Sequence, residues 1–363
     1  MPGGRSAALD GFDTALVLGG GNALGAYHLG ACETLLDAGI APSWYLGTSI
    51  GAVVAAILVG NPPETRLDRL RTFWEKAGQA GASFASGWLP EELRSRLNND
   101  HALSALMLGR PGLFGARFPG LWSLLPFMPP DRALRDQRPL ARTLARLIDF
   151  ERLNNTDLRL SIITIDMESG EEAWFDNWRH GIGPEHLLAA TALAPLFAPV
   201  EIGGRLLCDA GLGNNLPLDR AFRESAAHDL LCIAVDLYSL SHGRPSSLDE
   251  TVARVQDLAF ATQSKKAIAA VRRERDLMRM LDPNSPSAIL AHLAYRAPGH
   301  QRSLKPLDYS RVSLAERIIQ GRLDMTAMLA RLPDAPRTEA LATVARDGGS
   351  AGGSGPSPPP EAR

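Results

Sequence analysis

The sequence has few cysteines, lacks a long apolar run and carries little excess of either charge. Cys32, Cys208 and Cys232 lie in apolar stretches without the spacing of a metal site, so we expect buried free thiols. No segment supplies the roughly twenty apolar residues that a membrane-spanning helix needs, and the amino terminus lacks the apolar core of a signal peptide. These absences favour a soluble, cytoplasmic protein.

The composition is that of a packed domain. Apolar residues make up 45% of the 363 residues, charged residues make up 21%, and the formal net charge is -2. These shares are near the averages for globular proteins. Nucleic-acid binding needs a concentrated excess of Lys and Arg, which the sequence does not have, so no nucleic-acid partner is expected.

Two strand-loop-helix units follow one another near the amino terminus. Residues 15–18 form an apolar run that ends in glycines and precedes a helical pattern over 24–38, and residues 44–46 precede an apolar helix over 50–59. Successive units of this kind predict an α/β fold with a parallel sheet covered by helices. Further strands are predicted at 158–166, 172–175 and 230–237, and further helices at 140–148 and 184–192.

The pattern also divides the chain. The main α/β domain is predicted over 13–240, after a flexible start at 1–12. Within it, residues 83–139 are rich in glycine, proline and aromatics, and form either a mobile cap over the site or an ordinary connecting segment. A helical region is predicted over 241–331, and the Ala, Gly, Ser and Pro composition of 332–363 predicts a disordered tail.

The segment Gly47-Thr48-Ser49-Ile50-Gly51 lies where a predicted strand passes into a helix. It matches the GxSxG nucleophile elbow, in which the glycines allow a turn so tight that the serine hydroxyl projects at the helix amino terminus. The unpaired amides of that helix end favour negative charge beside the hydroxyl. Ser49 is therefore a candidate nucleophile, although small residues are also common at purely structural turns.

A second glycine loop, residues 19–25, also links a strand to a helix. Its backbone amides could converge on one oxygen and stabilise an oxyanion, or they could hold a phosphate. A dinucleotide-binding fingerprint needs GxGxxG and an acidic residue at the end of the next strand. No frame supplies the three glycines, and the next strand ends in Gly47-Thr48-Ser49, which argues against a nucleotide-binding oxidoreductase.

Asp209 opens a third glycine-rich turn, Asp209-Ala210-Gly211, after an apolar run. An aspartate at such a position often only stabilises the turn by bonding its own backbone. A nucleophilic serine needs a base, however, and a partly desolvated carboxylate can supply one without a histidine.

In order and context, the three elements resemble those of the patatin-like phospholipase family. The resemblance implies a three-layer α/β/α sandwich with a mainly parallel central sheet, and a serine acyl hydrolase that cleaves lipid carboxylic esters without metal or organic cofactor. It assigns Ser49 as nucleophile, Asp209 as its base in a catalytic dyad, and Gly20, Gly21 and Asn22 as the oxyanion hole. The matching motif positions are Gly25, Gly47, Gly51 and Gly211.

The resemblance extends over about residues 13–329. Residues 187–211 resemble the family's approach to its aspartate, and residues 309–317, YSRVSLAER, are similar to a C-terminal region attached to many bacterial members. Two positions depart from the family's glycines, namely Asn22 and Ala210. Asparagine tolerates left-handed backbone, so we expect the loop to keep its shape. If residue 210 must have positive φ, its Cβ is expected to cost about 1 kcal/mol or more and could displace Asp209.

Three functions remain open at this point. The first is a Ser/Asp lipid acyl hydrolase, with a lipid or fatty-acyl ester as substrate and peripheral membrane contact through the aromatics of residues 111–128. The second is an inactive domain of the same family that binds lipid, and the third is the nucleotide-binding oxidoreductase. A Ser/acid/His triad would need a histidine after Asp209. The histidines in that part of the chain are expected to be surface or helix-end residues: His228, His242, His292 and His300. His28, which precedes Asp209, is expected to pack locally on its helix.

Overall fold

The computed structural model describes residues 11–78, 90–241, 243–335 and 339–345. Parts of several predicted segments lie outside the described residues. They are residues 1–10 of the flexible start, 83–89 of the cap or connection, His242, and residues 336–338 and 346–363 of the disordered tail. In the part that is described, no helix is long and apolar enough to cross a membrane.

The first half of the chain alternates strands with helices, as the glycine-punctuated pattern predicts. Its first strand begins at Asp13 rather than Ala15, and its first α-helix starts only after a short 3₁₀ turn over Asn22–Gly25. The elements are β1 (Asp13–Leu18), α1 (Ala26–Asp37), β2 (Trp44–Gly47), α2 (Ile50–Val59), α3 (Arg66–Gly78), α4 (Glu91–Leu108), β3 (Gly115–Ala116), β4 (Arg135–Asp136), α5 (Arg138–Leu147) and α6 (Phe150–Asn154).

The second half completes the sheet and adds two long helices. The strands predicted at 158–166, 172–175 and 230–237 are all present, with bounds shifted by one residue at some ends. The elements are β5 (Arg159–Asp166), β6 (Glu172–Asp176), α7 (Pro184–Ala190), β7 (Val200–Ile202), β8 (Arg205–Asp209), α8 (Leu218–Glu224), β9 (Leu230–Asp236), α9 (Leu248–Leu281), β10 (Ala288–Ala294), α10 (Arg311–Arg331) and β11 (Ala342–Ala345).

Within the described residues, nine strands form one mixed sheet. Its order is β11-β10-β9-β1-β2-β5-β8-β7, with β6 also paired to β5. The strands from β11 to β5 run parallel, whereas β6, β7 and β8 are antiparallel to their neighbours. The predicted α/β class with a mainly parallel sheet is confirmed.

Helices cover both faces of the sheet, and β1 shows why its sequence is apolar throughout. Leu16 and Leu18 belong to the core cluster that contains α1 and α2. Ala15 and Val17 belong to a second cluster, which contains residues of α8 and α9. Since successive side chains of a strand point to opposite faces, a strand buried on both sides needs apolar residues at every position.

Strand β5 brings the ends of two distant strands together. On β5, Ile162 is paired with both Gly47 and Phe175, and Thr164 is paired with both Asp209 and Ala173. Because β6 supplies Phe175 and Ala173, it occupies one edge of β5. Strands β2 and β8 therefore both pair with the other edge of β5. They run toward each other along it, and their last residues face Ile162 and Thr164, two positions apart on β5.

The carboxyl-terminal part differs from its prediction. The region 241–331, predicted to be helical, also contributes β10 to the sheet, and 332–345, predicted to be disordered, contain a 3₁₀ turn and β11. Strand β11 pairs with β10 through main-chain bonds, which do not depend on side-chain type, and it buries Ala342 and Val344. The described part of the predicted cap or connection contains α4, which its composition did not indicate.

Helices α1 and α10 approach closely through glycine. A Cβ on Gly321 would lie 2.2 Å from the Tyr27 carbonyl oxygen, and a Cβ on Gly30 would lie 1.9 Å from the Ile318 carbonyl oxygen. The contact is fixed by the Tyr27 hydroxyl, which donates to Asp324 at 2.9 Å. Contacts with backbone atoms cannot be relieved by a rotamer change, so both positions require glycine.

We expect Gly321→Val to lower the free energy of unfolding by about 1–3 kcal/mol, because overpacking forces the two helices apart. Denaturant unfolding followed by circular dichroism measures the change. Gly181→Val is the matched control, since a Cβ at Gly181 meets no atom within 4 Å. Equal stability of the two variants would contradict the close helix contact.

Candidate active site

Ser49 occupies a strained turn between β2 and α2. Its backbone has φ 55° and ψ -125°, a conformation that non-glycine residues rarely adopt. The turn is possible because its neighbours are glycines: a Cβ on Gly51 would lie 2.1 Å from the Leu18 carbonyl oxygen, and one on Gly47 would lie 2.5 Å from the Ala52 nitrogen. The GxSxG segment therefore has the geometry of a nucleophile elbow.

The glycine loop after β1 lies against this elbow. A Cβ on Gly20 would lie 3.0 Å from the Ser49 Cβ, and one on Gly25 would lie 2.7 Å from an Ile50 side-chain carbon. Asn22 has φ 53°, so the expected left-handed backbone at this position is confirmed. The left-handed turn keeps the loop beside Ser49 although the third glycine of the family pattern is missing.

The three loop amides differ in their hydrogen bonding. The Gly20 N–H donates to the Asn215 carbonyl oxygen at 3.2 Å. In the described part of the chain, the N–H groups of Gly21 and Asn22 have no hydrogen-bond partner. Gly21 and Asn22 can therefore donate to a ligand oxygen, whereas Gly20 already holds the neighbouring loop.

Asp209 ends β8 and is buried, with 4% of its surface exposed. Burial raises the pKa of its carboxyl group to about 6, while the neighbouring Ser49 side chain and the Gly211 N–H oppose that rise. The Gly211 bond measures 2.8 Å. The carboxylate is thus ionised at neutral pH, and the Ser49 side chain lies close enough to affect its pKa.

The strain expected at Ala210 is absent. Among the described residues, the non-glycine positions with positive φ are Asn22, Ser49 and Phe127. Ala210 instead begins a 3₁₀ turn with the next two residues, and its side chain is fully buried. A Cβ is therefore tolerated at residue 210, and Asp209 keeps its contact with Ser49.

Three polar residues that the sequence analysis missed hold the loops together. The Thr48 hydroxyl donates to the Asn214 carbonyl oxygen at 3.0 Å. The Asn215 side chain donates to the Gly20 carbonyl oxygen at 3.2 Å, and its N–H donates to the Gln263 side chain at 2.9 Å. The adjacent asparagines after the Asp209 turn could have indicated polar contacts at this loop. No local pattern in α9 singles out Gln263 as a contact of the site.

The segment 309–317 reaches the glycine loop from the other side. The Tyr309 hydroxyl donates to the Asn22 side-chain oxygen at 3.2 Å, and the Arg317 guanidinium donates to the Ala23 carbonyl oxygen at 3.0 Å. Arg317 is fully buried and also donates to the Asp308 and Lys305 carbonyl oxygens. The carboxyl-terminal part of the chain therefore supports the loop beside Ser49.

A cavity of about 330 Å³ opens onto Ser49 and Asp209. Its polar lining includes the serine, the aspartate and residues of the two glycine-rich loops. The rest of its wall is mainly apolar, which suits a hydrocarbon chain more than a charged ligand. The apolar wall residues include Leu193, Leu196, Leu212, Phe260, Leu304 and Leu307.

In the described residues, no histidine lines this cavity. His28 is fully buried within α1, and burial lowers the pKa of its imidazole to about 3, so it is neutral. His292 lies 3.8 Å from Asp236, and His300 is hydrogen-bonded to Glu316 at 3.1 Å. Among the described residues, therefore, no histidine lies at this cavity beside Ser49 and Asp209.

Comparison with known proteins identifies the family. The family model described as patatin-like phospholipase matches residues 16–222. A patatin-like phospholipase domain-containing protein of Phaeosphaeria nodorum is 53% identical over 45 residues, which span 12% of this chain and only 5% of the fungal protein.

Two solved structures are distantly similar. VipD from Legionella pneumophila has a TM-score of 0.36 at 15% identity, covering 89% of this chain and 71% of VipD. The type III effector protein ExoU has a TM-score of 0.25 at 14% identity, covering 86% of this chain and 54% of ExoU. Since the family model spans more than half of the sequence, this chain belongs to the patatin-like phospholipase family.

Proposed function

We propose that this protein is a serine acyl hydrolase that cleaves lipid carboxylic esters, as a phospholipase A, lysophospholipase or related esterase. The observation that carries the proposal is that the strained Ser49 and the buried Asp209 line the same mainly apolar cavity, with the Ser49 side chain close enough to lower the pKa of the Asp209 carboxyl group. Family membership supports lipid ester hydrolysis. The reaction requires no cofactor, because nucleophile, base and oxyanion donors all come from the chain.

The proposed reaction proceeds through an acyl-enzyme. Asp209 accepts the Ser49 proton as the serine oxygen attacks the ester carbonyl, and the Gly21 and Asn22 amides stabilise the resulting oxyanion. Collapse of this intermediate breaks the ester bond, and the proton on Asp209 passes to the leaving alcohol. Water then attacks the acyl-enzyme, Asp209 takes its proton, and the fatty acid leaves as the proton returns to Ser49.

The environment of Asp209 explains why a carboxylate can act as this base. An ordinary aspartate has a pKa near 4, which makes it a weak base at neutral pH. Burial raises the pKa of Asp209 to about 6, close to the pH at which the enzyme would operate. A base whose pKa lies near the working pH combines a large ionised fraction with a useful proton affinity.

We expect Asp209→Asn to lower kcat at least about 100-fold, because the amide cannot accept the serine proton. Thermal stability should not fall, since the variant removes a buried charge and keeps an oxygen for the Gly211 N–H. Hydrolysis of a soluble short-chain ester and a thermal melt measure both effects. Full activity in this variant would refute the dyad.

Ser49→Ala should abolish both hydrolysis and labelling by a fluorophosphonate probe, because the probe reacts with an activated serine oxygen. Gel fluorescence of the labelled protein is the measurement. Ser303→Ala is the matched control, since Ser303 lines the same cavity and should leave labelling intact. Failure of the wild-type protein to react would instead support an inactive family member that binds lipid.

The pH profile should follow the Asp209 carboxyl group. Above about pH 6 the carboxylate can accept the proton, so kcat/KM should be constant, and below it kcat/KM should fall about tenfold per pH unit. Initial rates on a neutral soluble ester measure this limb. An acidic limb centred near the ordinary aspartate value, about pH 4, would contradict the raised pKa.

We expect Tyr309→Phe to reduce kcat about fivefold, the effect of one hydrogen bond worth about 1 kcal/mol. The variant removes the bond to the Asn22 side chain and so loosens the oxyanion loop. Tyr295→Phe is the matched control, because it removes a buried hydroxyl bond of 3.1 Å to Gln301. Equal losses in both variants would show a general stability effect and not support of the loop.

A further inference from the structure

Residues 117–134, here called the aromatic loop, connect β3 to β4 and expose apolar side chains. Strands β3 and β4 pair in register, with Ala116 opposite Arg135, so they close the base of the loop. Phe127 is fully exposed and has φ 72°, an unusual backbone conformation for an aromatic residue. The exposed large apolar residues of the loop are Phe118, Leu121, Trp122, Leu124, Leu125 and Phe127.

An internal ion pair fixes the aromatic loop in this exposed form. The Arg117 guanidinium donates to both Asp131 oxygens at 2.9 Å, and the same carboxylate accepts the Gly120 N–H at 3.0 Å. These bonds hold the pKa of Asp131 well below its usual range. The loop is therefore ordered by polar contacts at its base, and its apolar side chains are left for another surface.

The base of the aromatic loop is bonded to the wall of the Ser49 cavity. The Leu134 N–H donates to the Pro195 carbonyl oxygen at 3.0 Å, and the Arg135 N–H donates to the Leu196 carbonyl oxygen at 2.9 Å. Leu196 and the nearby Leu193 line the cavity. A surface that receives the aromatic loop is thereby brought close to the site.

The same part of the chain is strongly basic. Residues 110–147 contain seven arginines and two aspartates, a net charge of +5 in a chain whose total is -2. The two aspartates are hydrogen-bonded to Arg117 and Arg138. Three exposed arginines recur every fourth residue along α5 and so share one face, and a fourth lies in the aromatic loop: Arg138, Arg142, Arg146 and Arg132.

We infer that the aromatic loop and the arginine face of α5 form a docking surface for anionic phospholipid bilayers. This inference rests on the proposed function, because it explains how ester substrates reach the cavity. Exposed Trp and Phe side chains insert at the interfacial level of a bilayer, and nearby arginines are attracted by negatively charged head groups. A second copy of the chain fits less well, since a two-fold contact would oppose two basic segments.

Vesicle co-sedimentation of the full-length Ser49→Ala protein tests the inference without turnover. We expect at least tenfold more binding to phosphatidylglycerol-containing vesicles than to pure phosphatidylcholine vesicles, and a decrease in binding as salt increases. Equal binding to the two vesicle types, or no binding to either, would overturn the inference.

Paired substitutions separate the two parts of the surface. Trp122→Ser with Phe127→Ser should reduce binding to anionic vesicles at least tenfold, and Arg142→Gln with Arg146→Gln should remove the anionic preference. Trp178→Ser and Arg273→Gln are the controls, because both side chains are exposed outside this surface. Unchanged binding in the paired variants, or a concentration-dependent dimer that they abolish, would refute lipid docking.

The same docking substitutions, made in the protein that retains Ser49, keep the proposed function and the docking surface distinguishable. Hydrolysis of a soluble short-chain ester should be unchanged by the docking substitutions, whereas hydrolysis of anionic vesicles should fall at least tenfold. A wild-type protein that binds vesicles but hydrolyses no ester would overturn the proposed function and leave the docking surface supported. A protein that hydrolyses soluble esters but ignores anionic vesicles would overturn only the docking surface.

Discussion

The pairing of β2 and β8 with one edge of β5 is the constraint on which the site depends. The two strands approach from opposite directions, so Gly47 and Asp209 end beside Ile162 and Thr164. Main-chain hydrogen bonds to β5 hold both ends in place. The strained turn then places the Ser49 hydroxyl at the end of β8.

The electrostatic character of the pair follows from what surrounds it. Desolvation disfavours the Asp209 carboxylate, and the Gly211 N–H bond and the nearby Ser49 side chain compensate only in part. No arginine or lysine lines the cavity among the described residues. A cation there would lower the pKa of the carboxyl group and weaken it as a base. In the proposed reaction, the apolar wall would therefore favour proton transfer as well as the binding of a hydrocarbon chain.

The features predicted from sequence are those encoded by short contiguous patterns. The glycine loops, the apolar strands and the left-handed Asn22 each depend on local backbone chemistry, and the structure has all of them. The strain that positive φ would cause at Ala210 does not arise, because the 3₁₀ turn after Asp209 keeps φ negative there. Strand β11 was missed because its pairing with β10 uses main-chain atoms, which composition does not reveal.

The hydrogen bonds that hold the loops of the site could not be predicted, because they join residues far apart in the sequence. The hydrogen bond from Tyr309 to Asn22 joins residues 287 positions apart, and the bond from the Asn215 N–H to the Gln263 side chain joins a loop to α9. Neither partner has a local pattern that points to the other. Only the folded chain, in which α9 and α10 pack against the sheet, brings these groups within reach of each other.

Tyr309, Arg317 and Gln263 contact the loops beside Ser49 from the carboxyl-terminal part of the chain. All three residues lie beyond residue 222, where the match to the family model ends. A protein truncated to residues 16–222 would lack all three residues. It would also lack β9, which lies between β1 and β10 in the sheet. The contacts that hold the loops beside Ser49 therefore extend into α10, beyond the segment that the family model matches.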